Sequence, residues 1–214
     1  EKRARMKDMG AKERREREKE RRKNHILDTA RELLLEKGLN ATSINQIARR
    51  SELSIGAIYF YYKDKEEIFA ALQVEGLELL YRAILAAIDK KATPEKKIRA
   101  IAQVYLRFSE ENKNYFDIIN YFLASPGTIF SPVLKKEIDA HGNASIALLA
   151  DTIREGIDRG HFKKVDPRRH AFILWSTFNG VIQIKKLEKT ILGKGEHQSL
   201  YMEALEHFLS GLRA

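Results

Sequence analysis

The 214-residue sequence contains no cysteine, which excludes disulfides and thiolate metal sites. A reducing cytoplasm is compatible with that absence, and we expect the chain to be cytoplasmic. Only four prolines occur, and no clear run alternates apolar with polar residues, so amphipathic helices are expected instead of strands. No apolar run approaches the ~18 residues that span a bilayer. The charged start, with no apolar segment behind it, also lacks the pattern of a signal peptide. These features predict an all-α protein with no membrane partner.

Motifs that carry catalysis are absent as well. The six histidines are scattered, without a His-Glu-x-x-His pattern, and there is no P-loop, dinucleotide-binding glycine pattern or nucleophile elbow. Glu196-His197 and Glu206-His207 are adjacent pairs, but neither has a second ligand four residues on. We therefore expect no catalytic residue, no metal and no cofactor, and interpret the chain as a non-enzyme.

Charge is strongly unbalanced. The formal net charge is +9 and the isoelectric point is about 9.6. This favours a polyanionic partner, either nucleic acid or an acidic membrane surface. Residues 1–23 contain twelve Lys or Arg and six Asp or Glu, an excess of +6. With almost no apolar residue, this segment is expected to be disordered or an exposed helical extension. It is interpreted either as an arm that neutralises DNA phosphates or as a solvated tail.

The stretch 42–68 has the pattern of two short helices joined by a tight turn. Ser43 followed by Gln46 matches a capping box and begins the first helix. A four-residue break at 51–54 follows, and a second helix begins at Ser54. In a helix-turn-helix the second helix enters the major groove of DNA.

The second helix begins with Gly56 and Ala57, whose small side chains favour a close approach to base edges. An aromatic and basic cluster follows, formed by Tyr59, Phe60, Tyr61, Tyr62, Lys63 and Lys65.

Further helices are marked by their caps and breaks. Thr93-Pro94 and Asp166-Pro167 each pair a capping residue with a proline at the first helical position. Breaks are predicted at Ser125-Pro126-Gly127 and at Gly193 and Gly195. In addition to the two short helices, helical periodicity predicts seven others, at about 24–37, 65–89, from 94, 113–123, 132–159, 167–191 and 197–212. The total is nine helices.

The motif T-S-I-N-Q-I-A, followed by S-I-G-A-I-Y-F-Y-Y-K-D-K-E-E-I, resembles the DNA-binding domain of the TetR family of bacterial transcriptional regulators. The resemblance extends from about Asn24 to Leu72. One departure is Glu52-Leu53 in the turn, where the family often has a small residue or glycine. The resemblance implies a nine-helix, two-domain regulator. A helix-turn-helix domain at 24–70 follows the basic extension at 1–23, and a helical effector-binding and dimerisation domain occupies 71–214.

The same resemblance implies contacts with a double-stranded DNA operator. Base edges would be met by Ser54, Gly56, Ala57 and Tyr59. Phosphates would be held by Thr42 or Ser43 at a helix N-terminus, and by Tyr61 and Lys65. Tyr62 is expected to turn inward as a core residue.

An effector pocket is implied in the C-terminal domain. Its predicted lining is Tyr105, Phe108, Phe116, Asn120, Phe122, Trp175, Phe178 and Asn179, with Gln183 and His141 as further polar candidates. Most aromatic residues at helical spacing are core residues, and that interpretation stays open for each of these. The effector would be a hydrophobic or amphipathic small molecule, either an acyl compound or an aromatic drug.

A homodimer is also implied, because the family pairs its last two helices with their copies in a four-helix bundle. The predicted interface is Leu174, Phe178, Val181, Ile182, Leu205, Phe208 and Leu209. In a monomer these apolar faces would be covered by the same chain. A two-fold dimer would carry two recognition helices to half-sites about 34–36 Å apart.

The function predicted from the sequence is a ligand-responsive transcriptional regulator, a repressor released from a palindromic operator when the effector binds. Two alternatives are an architectural DNA-binding protein without an effector and a helical enzyme that uses the mid-chain cavity.

Overall fold

The computed structural model describes residues 2–38, 40–124, 130–191, 193 and 195–214. Across these residues the chain is helical apart from its connections and one isolated β-bridge between Phe162 and Arg213. The α-helices are α1 (Lys2–Lys37), α2 (Ile44–Arg50), α3 (Ile55–Tyr61), α4 (Lys65–Ala87), α5 (Pro94–Glu111), α6 (Lys113–Leu123), α7 (Pro132–Asp158), α8 (Pro167–Gln183), α9 (Glu188–Ile191) and α10 (His197–Leu212). Nine helices in the described ranges have seven residues or more, as predicted, and the all-α fold class is confirmed.

Local sequence accounts for several helix starts. Ser43 Oγ accepts the Gln46 N–H at 3.3 Å, and Gln46 Oε1 accepts the Ser43 N–H at 3.0 Å, so the predicted capping box is present. Thr93 and Asp166 accept hydrogen bonds from backbone N–H groups in the first turns of α5 and α8, and a proline follows each. These caps satisfy donors that the helix itself leaves unpaired.

Two boundaries differ from the prediction. The predicted helix at 24–37 is continuous with the basic extension, so α1 runs for 36 residues from Lys2. No proline interrupts the run, and exposed Glu–Arg and Glu–Lys pairs three or four residues apart support helix along it. At the other end, α8 stops at Gln183, and a 3-10 turn at Ile184–Leu187 replaces the predicted continuation to 191. The predicted break at 125–127 lies outside the described residues.

The chain divides into two compact units. Unit 1 comprises Glu1–Gln73 and Asp117–Lys135, and unit 2 comprises Val74–Phe116 and Lys136–Ala214. Helix α4 begins in unit 1 and ends in unit 2, whereas α6 does the reverse. Unit 1 thus takes in 117–135, which the predicted division at residue 70 assigned to the second domain.

Unit 1 is built on one apolar core. Five of its buried side chains come from one face of α1, and the rest come from α2, α3 and its C-cap residue, α4 and α6. The core residues are Ile26, Leu27, Ala30, Leu33, Leu34, Ile47, Ala48, Ile58, Tyr62, Ile68, Phe69, Leu72 and Ile118. Phe122 and Phe130 pack against this core from outside, with the Phe122 ring 6.1 Å from Phe69 and 4.8 Å from Phe130. Ile118, Phe122 and Phe130 therefore extend the core to which the helix-turn-helix contributes.

Unit 2 packs α5 against α8 and α10. The Phe178 and Tyr201 rings stack with centroids 4.4 Å apart, and the Tyr201 hydroxyl donates to the Ala102 carbonyl at 2.8 Å. Lys97 is buried and lies 2.8 Å from the Glu155 carboxylate, so its charge is paired inside the unit.

Candidate DNA-binding site and effector cleft

Helix α3 has one buried side and one exposed side. Ile58 is buried in the core of unit 1, whereas Tyr59 is 54% exposed and Phe60 is 73% exposed. The Ser54 hydroxyl caps the helix by accepting the Ala57 N–H at 3.1 Å. Apolar rings of this size are costly to leave in water unless they have a partner. The exposed side of α3 is therefore shaped as a contact surface.

Gly56 lies on the same side, one turn before Phe60. It does not have positive φ, and an added Cβ would meet only the Ser54 hydroxyl, at 3.9 Å. The local fold therefore does not require glycine at this position. A missing side chain at the start of a recognition helix leaves room for a base edge or sugar to come close to the backbone.

Phe60 was not among the predicted contact residues, although it is the most exposed large residue of α3. Its ring lies edge-on to Tyr61, with centroids 5.0 Å apart. The sequence signal was its place in the aromatic cluster, four residues after Gly56. Tyr62, predicted to turn inward, is 6% exposed within the core, which confirms that assignment.

The predicted phosphate contacts fall in different environments. Thr42 is buried and its hydroxyl donates to the Gly38 carbonyl at 2.8 Å, so this hydroxyl proton is already used in a hydrogen bond within the protein. Ser43 is exposed. Tyr61 and Lys65 are half-buried, and Tyr61 packs against the core of unit 1.

Helix α2 is braced against α1 by a bidentate ion pair. The Arg50 guanidinium donates to both oxygens of Glu36, at 2.7 and 2.8 Å, and to Glu32 at 3.1 Å. These hydrogen bonds hold the pKa of Glu36 below its ordinary value. Such forked contacts fix orientation more than they add stability at an exposed site.

The predicted effector-pocket residues do not lie together in one unit. Asn120 and Phe122 belong to unit 1, and Phe122 packs beside its core. The other six lie in unit 2, where Tyr105 donates to Asn179 Oδ1 at 3.3 Å. Burial raises the pKa of the Tyr105 phenol, so it stays a neutral donor. These contacts are those of core residues.

A cleft of about 390 Å³ lies elsewhere in unit 2, between α4 and α7. It is lined by Leu77, Glu78, Tyr81, Arg82, Leu85, Ala140, His141 and Ala144. Glu78 accepts a hydrogen bond from Arg82 at 3.0 Å and lies 3.8 Å from the His141 ring nitrogen. The cleft thus joins a small charged cluster to apolar walls. The cleft contains His141, one of the two further polar candidates, and none of the eight residues predicted to line the pocket.

Most of the predicted dimer-interface residues are buried within the single chain. Five of the seven side chains, those of Leu174, Phe178, Ile182, Leu205 and Leu209, are at most 8% exposed. They are covered within the single chain, which leaves them little surface for a second copy, and their place in a dimer interface stays a prediction. Val181 and Phe208 are partly buried.

The outward face of α8 carries a different set. Phe172 is 57% exposed and Ile173 is 45% exposed. Ser176, Thr177, Gly180, Gln183 and Ile184 continue the exposed stripe at helical spacing. The sequence analysis predicted only the buried face of α8. It missed the exposed Phe172 and Ile173 because they lie on the same helix as the residues that form the core.

No helix in the described ranges is long and apolar enough to cross a membrane. The fold and the exposed recognition helix define a helix-turn-helix DNA-binding protein with a separate helical domain. A family model described as "Bacterial regulatory proteins, tetR family" matches residues 26–72, and one described as "Tetracyclin repressor-like, C-terminal domain" matches residues 130–192. The chain belongs to the TetR family of bacterial transcriptional regulators.

Individual relatives agree with that assignment. The chain is 23% identical over 158 residues to the fatty acid metabolism regulator protein of Bacillus subtilis, covering 73% of this chain and 79% of the relative. A tetR-family regulatory protein from Rhodococcus RHA1 superposes with a TM-score of 0.74 at 22% identity, over 90% of this chain and 97% of the other. FadR from Bacillus subtilis, solved in complex with stearoyl-CoA, superposes with a TM-score of 0.73 at 22% identity, over 87% and 97%.

Proposed function

We propose that this regulator is a repressor that binds a palindromic operator as a homodimer and is released when a hydrophobic or amphipathic small molecule binds unit 2. The observation that carries the proposal is the exposed outer side of α3, with Gly56 and Phe60 one turn apart. With few long polar side chains on that side, base recognition would depend on close packing and on DNA shape.

The proposed contacts follow the prediction except at Thr42, whose hydroxyl already donates to the Gly38 carbonyl. Ser54, Gly56, Ala57 and Tyr59 would face base edges, and Phe60 joins them. Ser43, Tyr61 and Lys65 would hold phosphates. Replacing Tyr61 or Lys65 by Ala is expected to weaken binding to all DNA sequences about equally. Because only Lys65 carries a charge, only its replacement should lower the slope of log affinity against log salt. An unchanged slope for the Lys65 variant would count against its phosphate role.

Dimerisation is proposed through the outward face of α8. Its exposed Phe172 and Ile173, with small residues along the same stripe, would be covered by the equivalent face of a second copy. An isologous pairing of this kind fits a palindromic site.

The proposed effector site is the cleft between α4 and α7. Its volume lies at the small end of the ligand-pocket range, and its apolar walls with a charged cluster suit an amphipathic molecule. The relative solved with stearoyl-CoA makes a long-chain acyl thioester the first compound to try.

Helix α4 supplies a route for the response. It runs unbroken from Lys65, a proposed phosphate contact, through Glu78 and Arg82 in the cleft. A ligand that prefers a different position of α4 would move both ends of this helix. Release then requires a real difference in effector affinity between the two states.

The experiment is fluorescence-anisotropy binding to the DNA upstream of the protein's own gene, repeated with stearoyl-CoA and with a metabolite extract. Specific binding that is lost with either addition supports a ligand-released repressor. Specific binding that ignores both supports a regulator but contradicts release by these compounds. Weak binding to any sequence would favour an architectural protein, and turnover of a bound compound would favour an enzyme.

A matched pair of variants tests the cleft. Ala144→Trp fills it and should abolish the effector response while leaving operator affinity unchanged. Ala147→Trp makes the same change at an exposed position of α7 outside the cleft and should keep the response. Equal behaviour of the two variants would place the effector elsewhere.

A further inference from the structure

One face of the helical extension of α1 carries a row of four basic side chains. Lys12, Arg15, Lys19 and Arg22 are spaced by three, four and three residues, and all four are exposed. At 3.6 residues per turn they lie within an arc of about 80° and extend over about 15 Å. We call this row the basic stripe. Glu13, Glu16 and Glu20 lie together on one flank of the basic stripe, and Glu18 lies on the other flank. A second group of basic side chains, Arg14, Arg17 and Arg21, lies on the opposite face of α1.

The basic stripe continues the row that packs into the core of unit 1. The steps of three or four residues run on from Arg22 to Ile26, Ala30 and Leu33, which are at most 2% exposed. Since α1 is one continuous helix, the basic stripe points to the side on which the helix-turn-helix packs.

Contacts at the base of the extension agree with that orientation. Lys23 Nζ lies 6.0 Å from the centroid of the Tyr62 ring, at the C-terminal cap of α3. His25 Nε2 lies 3.1 Å from the Ser51 carbonyl, in the turn between α2 and α3. The extension therefore leaves the domain beside the recognition helix.

We propose that the basic stripe contacts phosphates of duplex DNA beyond the half-site bound by α3. The inference rests on the proposed DNA-bound state. Residues 12–23 contain no apolar side chain that could dock on another protein. Duplex DNA carries one negative charge per about 1.7 Å of axis, so a stripe of this length faces several phosphates. The ion pairs to Glu16 and Glu18 are exposed and weak, so they compete poorly with a phosphate.

Two triple variants of the full chain test the proposal. Lys12→Gln, Arg15→Gln and Lys19→Gln together remove three of the four charges of the basic stripe. Arg14→Gln, Arg17→Gln and Arg21→Gln together remove the same charge from the opposite face of α1. Operator affinity is measured between about 50 and 200 mM salt on a duplex with long flanks. Far-UV circular dichroism checks that both variants keep the helicity of the native chain.

The stripe variant is expected to lower the slope of log affinity against log salt by about 3 per protomer, and the opposite-face variant by much less. On a duplex cut at the edge of the half-site, the difference between the two variants should disappear. Equal slopes for the two variants on the long duplex would overturn the proposal, because net charge alone would then explain the effect. If the native chain binds the operator and neither variant changes the slope, the stripe proposal fails while the repressor proposal stands. Absence of operator binding by the native chain would instead refute the proposed function.

Discussion

The Leu53 backbone N–H donates to the Ala48 carbonyl at 2.9 Å and so closes the end of α2 in a Schellman motif. Between them, the Glu52 N–H donates to the Arg49 carbonyl at 3.3 Å. The motif needs a left-handed residue at the position of Glu52, and its φ is 56°. A residue with a Cβ pays a steric cost in this conformation, and Glu52 therefore lies in a strained backbone conformation. At this turn position the family often has a small residue or glycine.

Glu52→Gly should therefore stabilise the protein. Relief of the left-handed strain is partly offset by the larger entropy of glycine in the unfolded chain, which leaves a gain of about 0.5–1 kcal/mol. Urea unfolding measures it. Glu52→Ala is the control, because it removes the carboxylate but keeps the Cβ. Equal gains from Gly and Ala would show that backbone strain is not the cause.

Gly56→Ala should stabilise the protein but weaken its binding to the operator. The position has room for a Cβ, so the free energy of unfolding should rise by up to about 1 kcal/mol. Operator affinity should fall at least tenfold if the DNA approaches this backbone closely. Gly211→Ala, at an exposed glycine of α10 that also has free space around it, should leave operator affinity unchanged. Native operator affinity in the Gly56 variant would remove this glycine from the interface.

Phe60 is expected to pack on a thymine methyl group in the major groove. Replacing operator thymines by deoxyuridine, one at a time, removes only that methyl group. At one position the native protein should lose about fourfold in affinity, equivalent to about 0.8 kcal/mol for a buried methyl-sized group. Phe60→Ala should bind more weakly and should not distinguish thymine from deoxyuridine there. A variant that still discriminates would assign the methyl contact to another residue.

Phe172→Glu should dissociate the proposed dimer. A carboxylate placed on the outward face of α8 would be buried without a partner in a symmetric interface. Sedimentation analysis should show a monomer, and operator affinity should fall together with dimerisation. Val133→Glu is the matched control, since Val133 is 77% exposed on α7. A Phe172 variant that remains a dimer would exclude this face.

Local sequence predicted the features that depend on neighbouring residues. The capping box at Ser43, the helix start at Ser54 and the cap-plus-proline starts at Thr93 and Asp166 each involve groups within three residues of one another. A helix start of this kind can be read from a few letters because its hydrogen bonds close locally.

Contacts between distant residues could not be read in the same way. Periodicity indicated that Leu174 and Phe178 are buried, but it does not specify whether the same chain or a second copy covers them. Lys97 meets Glu155, and Glu78 approaches His141, across more than fifty residues, and no local pattern links these pairs. The extension was separated from α1 because it lacks apolar residues, although a charged run without a helix stop can continue a helix.

The packing of Phe122 and Phe130 against the core of unit 1 matters for the exchange of DNA-binding domains between regulators. A cut after Gln73 would yield a fragment that contains the whole helix-turn-helix but lacks both rings and the buried Ile118. The apolar patch left on α4 around Phe69 would then face water. The DNA-binding domain of this protein therefore cannot be transferred as residues up to Gln73 alone. A working chimera would also have to include the segment of the same protein that carries Ile118, Phe122 and Phe130.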